Sequence, residues 1–135
     1  NQFIAEDNKI ISVLIKPPLN HTPTHTFLVW SIRKLLKRIK GAEEIRDHDT
    51  RGPDVTFEYN DEDYAIEVET GSLLRKKHQL REKLNYLDKK YPNRWMFVVS
   101  HRKLLGKYKK CGMTSNRVQV LENIKKMLKN NIRIF

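Results

Sequence analysis

Three carboxylates, Asp54, Glu67 and Glu69, stand where two short alternating segments flank a polar turn. The apolar side chains Val55, Phe57, Tyr59, Tyr64, Ile66 and Val68 recur with period two, so they share the face that a strand turns to the core. The residues between them face the other way. With the turn centred on Asp61 and Glu62, position 54 pairs with 69 and position 56 with 67, which gathers Asp54, Glu67 and Glu69 on that second face. Like charges directly across a sheet repel unless a cation, a proton or basic side chains neutralise them. Mg²⁺ or Mn²⁺ would do so, because hard divalent cations take oxygen ligands, polarise a phosphoryl group and activate water for phosphodiester hydrolysis. Spacing alone equally allows three solvated carboxylates on the wet side of a hairpin.

The elements that must position these residues are legible in outline. Thr22-Pro23 supplies an N-cap with proline at the first helical position, and Leu28, Ile32, Leu35, Leu36 and Ile39 recur at helical spacing until Gly41. The other side of that helix carries Arg33, Lys34, Lys37, Arg38 and Lys40. A strand over 43–48, a turn at Thr50-Arg51-Gly52-Pro53, strands over 54–59 and 64–69 and a polar turn at 60–63 follow. Thr70-Gly71-Ser72 breaks the strand. Leu73, Leu80, Leu84 and Leu87 then mark a helix that ends near Tyr91-Pro92. The continuous apolar run from Trp95 to Val99 reads as a buried parallel neighbour in a βαβ unit. Thr114 or Ser115 is expected to cap a last helix with Val118, Leu121, Ile124 and Leu128 as its apolar stripe. The first dozen residues read as a strand or arm, joined through the ordered connection Lys16-Pro17-Pro18-Leu19-Asn20. The class is α/β: a central mixed sheet flanked by helices, in the order helix, strand, hairpin, helix, strand, helix.

At 135 residues the chain has the size of one domain, read as 1–135, and its start at Asn1 suggests a piece of a longer protein. A formal charge of +11, from 27 Lys and Arg against 16 Asp and Glu, points to polyanionic partners. Between Leu73 and Lys110 thirteen Lys and Arg face only Glu82 and Asp88. Lys76, Lys77, Arg81, Lys90, Arg102 and Lys103 are therefore the expected phosphate contacts, with affinity that falls as salt rises. His101 and Arg102 also follow the buried strand, where open α/β sheets bind ligands. The sequence shows no membrane-spanning run and no signal peptide, which favours nucleic acid over a membrane as partner and a cytoplasmic setting. Cys111 is the single cysteine, so an intrachain disulfide is excluded and a cysteine zinc site unsupported. No Gly-rich phosphate loop and no nucleophile beside a base is present.

Gly52-Pro53-Asp54, then Glu67-Val68-Glu69 after a hairpin turn, then a helix rich in Lys and Gln, resembles the PD-(D/E)XK nuclease superfamily. That superfamily includes restriction endonucleases, archaeal Holliday-junction resolvases and RecB-like nucleases. The resemblance spans roughly Pro23 to Arg102 and implies a restriction-endonuclease-like core. Carried over, Asp54 matches the aspartate after proline and Glu67 the second acid, and the two, with the backbone carbonyl of Val68, would bind Mg²⁺ or Mn²⁺. Glu69 stands where the family usually has lysine, so that role must have moved. Lys76, Gln79, Lys83, Tyr86 and Lys90 form a polar stripe on the following helix, and its Gln and Tyr resemble RecB-like members. Lys77 and Lys83 are the candidate replacements for the lysine, with Gln79 positioning water or phosphate.

His25 resembles a histidine in nuclease-like modules of archaeal mobile-element proteins, which implies a prokaryotic or mobile-element origin. Glu44 is the candidate for the acid that the family often adds from its first helix. The resemblance thus implies a metal-dependent DNA endonuclease, commonly a homodimer. The competing expectation is a catalytically inactive nuclease-fold module that binds DNA structure or recruits an ATPase or recombinase. An RNA-processing nuclease is a third reading.

Overall fold

The computed structural model describes residues 22–48 and 52–131. The expected N-terminal strand or arm, the connection at 16–20, Thr50 and Arg51 of the expected turn, and the tail beyond 131 lie outside these residues. Helix α1 spans Pro23–Leu36, with Thr22 as N-cap, its Oγ1 accepting from the His25 backbone N–H at 3.1 Å, and proline at the first turn. His25, Leu28, Ile32 and Leu36 are its buried side, at the i, i+3/i+4 spacing of one helix face. The helix stops at Leu36, short of the expected Gly41, and tighter turns through Ile39 and Ala42 lead out of it.

Strands β1 (Glu43–Asp47), β2 (Val55–Tyr59) and β3 (Glu62–Glu69) are mutually antiparallel. β1 is an exposed edge whose register shifts between Glu43 and Arg46, where Glu44 takes φ 50°; such a bulge blunts an edge against further pairing. The β2–β3 turn differs from expectation. It is a two-residue turn of Asn60 and Asp61, both left-handed at φ 53° and 63°, so Tyr59 pairs with Glu62 and Val55 with Ile66. Position 54 therefore lies across from 67 rather than 69, and Glu62 and Asp63 are strand, not turn. The slip is two residues, and a two-residue slip keeps every side chain on its face.

After β3 a 3₁₀ turn (Ser72–Arg75) absorbs Leu73, and helix α2 covers Lys77–Lys90. Strand β4 (Trp95–Val99) then runs parallel to β3, in register from Ala65↔Trp95 to Glu69↔Val99, as the βαβ pattern requires. A 3₁₀ turn (Arg102–Leu104), the short helix α3 (Leu105–Lys109) and strand β5 (Thr114–Ser115), parallel to β4, were not expected. Thr114 and Ser115 are thus buried strand residues and cap nothing. The N-cap position of helix α4 (Val120–Asn130) is Gln119, with no side-chain cap bond, and Asn116 Oδ1 accepts from the N–H groups of Val118 and Gln119 in the turn just ahead of it. Val118 is 91% exposed, outside the apolar stripe, which is Val120, Ile124, Met127 and Leu128.

The result is an α/β fold with a five-stranded mixed sheet in the order β1-β2-β3-β4-β5. α1 and α4 cover one face, packing on Val55, Phe57, Tyr64, Ile66, Val68, Met96 and Val98. α2 and α3 cover the other through Leu87 and Tyr108, against Ala65, Phe97 and Val99. Both faces of β3 and β4 are therefore buried. No helix among the described residues is long and apolar enough to cross a membrane.

Candidate active site

The second face of the hairpin is not wet. Asp54, Glu67 and Glu69 are 8%, 4% and 3% exposed, because the 3₁₀ turn, α2 and α3 close over the end of β3. Asp54 sits just before β2, fixed by buried Pro53 on one side and by its carbonyl accepting from the His48 N–H at 3.1 Å. Gly71 lets the chain leave β3: its φ is +101° and a Cβ there would meet the Leu104 side chain at 3.2 Å, so only glycine fits comfortably.

Each carboxylate oxygen meets a donor. Asp54 Oδ1 lies 3.1 Å from His25 Nε2, and Oδ2 accepts from the Val68 N–H at 2.8 Å. Glu67 Oε1 accepts from the Asp54 N–H at 3.1 Å, and Oε2 lies 3.5 Å from Lys83 Nζ. Glu69 Oε2 accepts from Lys83 Nζ at 3.0 Å, and Oε1 accepts from the Tyr108 hydroxyl at 3.0 Å. One lysine thus bridges two buried glutamates.

The charges respond accordingly. Burial, reinforced by the negative charge of Asp54, pushes the Glu67 carboxyl well above the usual carboxylate range. Burial also raises Glu69, with Lys83 and Tyr108 holding it back. For Asp54 burial acts upward too, but hydrogen bonds from His25, Glu67 and the Val68 N–H, with the charge of His25, outweigh it and leave the group below its ordinary value. Burial depresses Lys83, yet Glu67 and Glu69 more than compensate and its pKa ends raised. Burial and the Glu69 charge raise Tyr108, which stays a neutral donor. The cluster therefore holds one low carboxylate, Asp54, beside one that favours its proton, Glu67.

A cleft of about 240 Å³ opens on this cluster, walled by His25, Asp54, Val68, Glu69, Lys83 and the start of the 3₁₀ turn at Ser72 and Leu73. Glu67 lies beneath, between Asp54 and Lys83. Around Val68, Ala65 and Glu69 direct their backbone groups to β4, through the Ala65 N–H to Arg94 and the Ser100 N–H to Glu69. Alternation then turns the backbone of Val68 away from β4, toward Asp54, past the end of β2.

Among the described residues no group of three or more His, Cys, Asp or Glu is disposed to hold a metal ion. The geometry explains this: the carboxylates splay onto separate donors rather than converge on one point. The donor chemistry nevertheless fits a hard cation of the Mg²⁺ kind, which binds through one or two carboxylates and keeps waters for the rest. Asp54, Glu67 and the Val68 carbonyl are the oxygens that could serve it.

The sequence candidates divide. Asp54, Glu67, Glu69, Val68, Lys83 and His25 meet in one place. Gln79 and Lys77 are exposed on the first half of α2 and outside the cleft lining, so of the two candidate lysines only Lys83 reaches the acids. Lys76, just before α2, and Arg81 are also exposed. Lys90 is at the far end of α2, roughly 10 Å along the axis from Lys83, over Tyr86 and Tyr91 at 5.7 Å from each ring. Arg102 and Lys103 line a different groove. Glu44 lies on the β1 edge, paired with Arg46 at 2.7 Å, and contributes nothing to the cleft.

Tyr108 escaped sequence reading. It is the lone large aromatic among Lys103, Lys107, Lys109 and Lys110, and that isolation was its only signal. Comparison of the chain with protein-family models, curated proteins and solved structures returned no match.

Proposed function

We propose that the chain is a metal-dependent DNA endonuclease of the PD-(D/E)XK kind, with Lys83 of α2 taking the place of the lysine that the motif lacks at Glu69. The observation that carries this reading is the lysine itself. A half-buried cation held against the buried Glu67 and Glu69, in the wall of the cleft that Asp54 also lines, gives the cluster the same residue types as the motif from a different point in the chain.

Asp54, Glu67 and the Val68 carbonyl would hold Mg²⁺ or Mn²⁺, whose contribution when bound is to polarise the scissile phosphate and lower the pKa of an attacking water. The protein's own residues do the rest. Asp54, kept ionised by His25 and the Val68 N–H, supplies a ready anionic ligand. Glu67, whose carboxyl favours its proton, would hold a cation only in its ionised form, which would couple binding to pH. Lys83 Nζ orients water at the cleft and offsets charge on the phosphate, while Glu69 and Tyr108 fix the ammonium in place. The exposed Lys76, just before α2, and Lys77 and Arg81 on its first half add phosphate contacts. The sheet topology, with an antiparallel hairpin leading into a parallel strand across a helix, is compatible with a restriction-endonuclease-like core.

One observation favours the second reading, a nuclease-fold DNA-binding module without activity: every carboxylate oxygen already meets a protein donor. Cleavage of labelled single-stranded, duplex and branched DNA with Mg²⁺ or Mn²⁺ separates the two. The nuclease cuts at least one form, and Asp54→Ala and Glu67→Ala do not. Binding without cleavage under any divalent ion assigns the binding module instead.

A further inference from the structure

A second and larger cavity, about 910 Å³, opens at the carboxyl ends of β4 and β5, where open α/β sheets receive ligands. Its rim carries His101, Arg102, Lys103 and Arg117, and no acidic side chain lines it. Phe27 from α1 and Val118 from the loop before α4 line the same cavity. Ser100 and Asn116 also line it, the Ser100 hydroxyl buried and Asn116 Oδ1 bound to the N–H groups of Val118 and Gln119.

The groove adjoins the acid cleft. Ser100, on its wall, donates its backbone N–H to the Glu69 carbonyl at 3.0 Å, and α1 serves both sites, with His25 on the carboxylates and Phe27 in the groove. A strand of nucleic acid whose phosphate sits at Asp54 therefore meets this groove next along the sheet edge.

We propose that the groove binds unpaired nucleotides of the DNA next to the cleaved phosphate, so that the substrate is a single strand, a flap or a branch rather than continuous duplex. The assignment rests on the nuclease reading of the neighbouring cleft. A duplex presents phosphates on a convex surface and needs only cations to contact it. A recess with an aromatic and an aliphatic side chain as well as cations suits bases that have left the stack, whose faces lie on apolar groups while their phosphates meet Arg and Lys. Val118 is the sharpest sign: it is an apolar side chain 91% exposed among the residues that line a basic groove.

The test is equilibrium binding of fluorescently labelled DNA to the whole chain in EDTA, by anisotropy, so that no cleavage is needed. A duplex with an unpaired overhang is expected to bind roughly tenfold or more tightly than a blunt duplex of equal length. Arg102→Ala combined with Arg117→Ala should abolish that preference. Val118→Glu, at a position too exposed to disturb folding, should reduce overhang binding about tenfold and leave blunt-duplex binding within about twofold. Equal affinity for blunt and overhanging duplex, or a preference that survives both variants, overturns the groove assignment. If the preference holds but no DNA is cut with metal, the nuclease reading fails and the groove stands.

Discussion

Replacing Lys83 by methionine removes the cation while keeping much of the aliphatic stem. In the natural protein its ammonium lies 3.0 Å from Glu69 and 3.5 Å from Glu67, and both glutamates are at least 95% buried by side chain. Removing one partner of such a buried set strands the other charges and costs about 3–5 kcal/mol. Protonation limits the loss, because burial already favours the neutral forms of Glu67 and Glu69. A figure near 3 kcal/mol at neutral pH is therefore expected, or roughly 10 °C in Tm for a chain of 135 residues.

The loss should shrink as pH falls toward the unfolded glutamate pKa, since both acids are then neutral with or without the lysine. It should also be largely restored in Lys83→Met/Glu69→Gln, which removes the stranded charge. Thermal denaturation in EDTA, followed by circular dichroism between pH 5 and 8, reads all three. A single variant within about 1 °C of the natural protein at pH 7.5, or a deficit that does not depend on pH, refutes the placement of Lys83 among the acids.

Three further outcomes follow. Because the carboxyl pKa of Glu67 is raised in the folded state, the folded form holds its proton more tightly, so stability is greatest below the unfolded value near 4.5 and falls as pH rises through the raised one. Glu67→Gln should therefore flatten this decline and gain about 1–2 kcal/mol at pH 7.5 in EDTA, measured by urea denaturation, while destroying activity. Tyr108→Phe leaves Glu69 Oε1 without its donor and should cost about 1–3 kcal/mol in the same assay, with the Glu69 carboxyl titrating higher by NMR. DNA affinity should fall linearly in log salt, and each of Lys76→Ala, Lys77→Ala and Arg81→Ala should make the slope shallower by about one, as counterion titration by anisotropy would show.

Sequence alone carried the face of each side chain further than its pairing. Period-two alternation placed Asp54, Glu67 and Glu69 on one side, and that survived a turn two residues shorter than expected because a slip of two preserves facing. What alternation could not convey was burial. The charges of Glu58, Asp63, Glu67 and Glu69 left a solvated second face of the hairpin open, whereas the last two are buried, with Lys83 of α2 and Tyr108 of α3 as their partners.

The choice of Lys83 over Lys77 likewise depended on helix phase, set by the 3₁₀ turn at 72–75 that sequence had merged into the helix. Local signals misled at 114–115. Ser and Thr are good caps, but here both pair with β4 as a two-residue parallel strand, and the helix starts later, after Gln119. Tyr108 and the second groove depend on contacts between segments far apart in the chain, which no window of residues displays.

The most direct measurement is the single-turnover cleavage rate of labelled overhanging DNA at saturating protein with Mg²⁺, compared between the natural chain and Lys83→Met at a temperature where both are folded. Cleavage that EDTA abolishes and that the variant slows by roughly 10²-fold or more is expected, with DNA affinity in EDTA falling far less than the rate. Equal rates in the two proteins, or no Mg²⁺- or Mn²⁺-dependent cleavage in either, would contradict it.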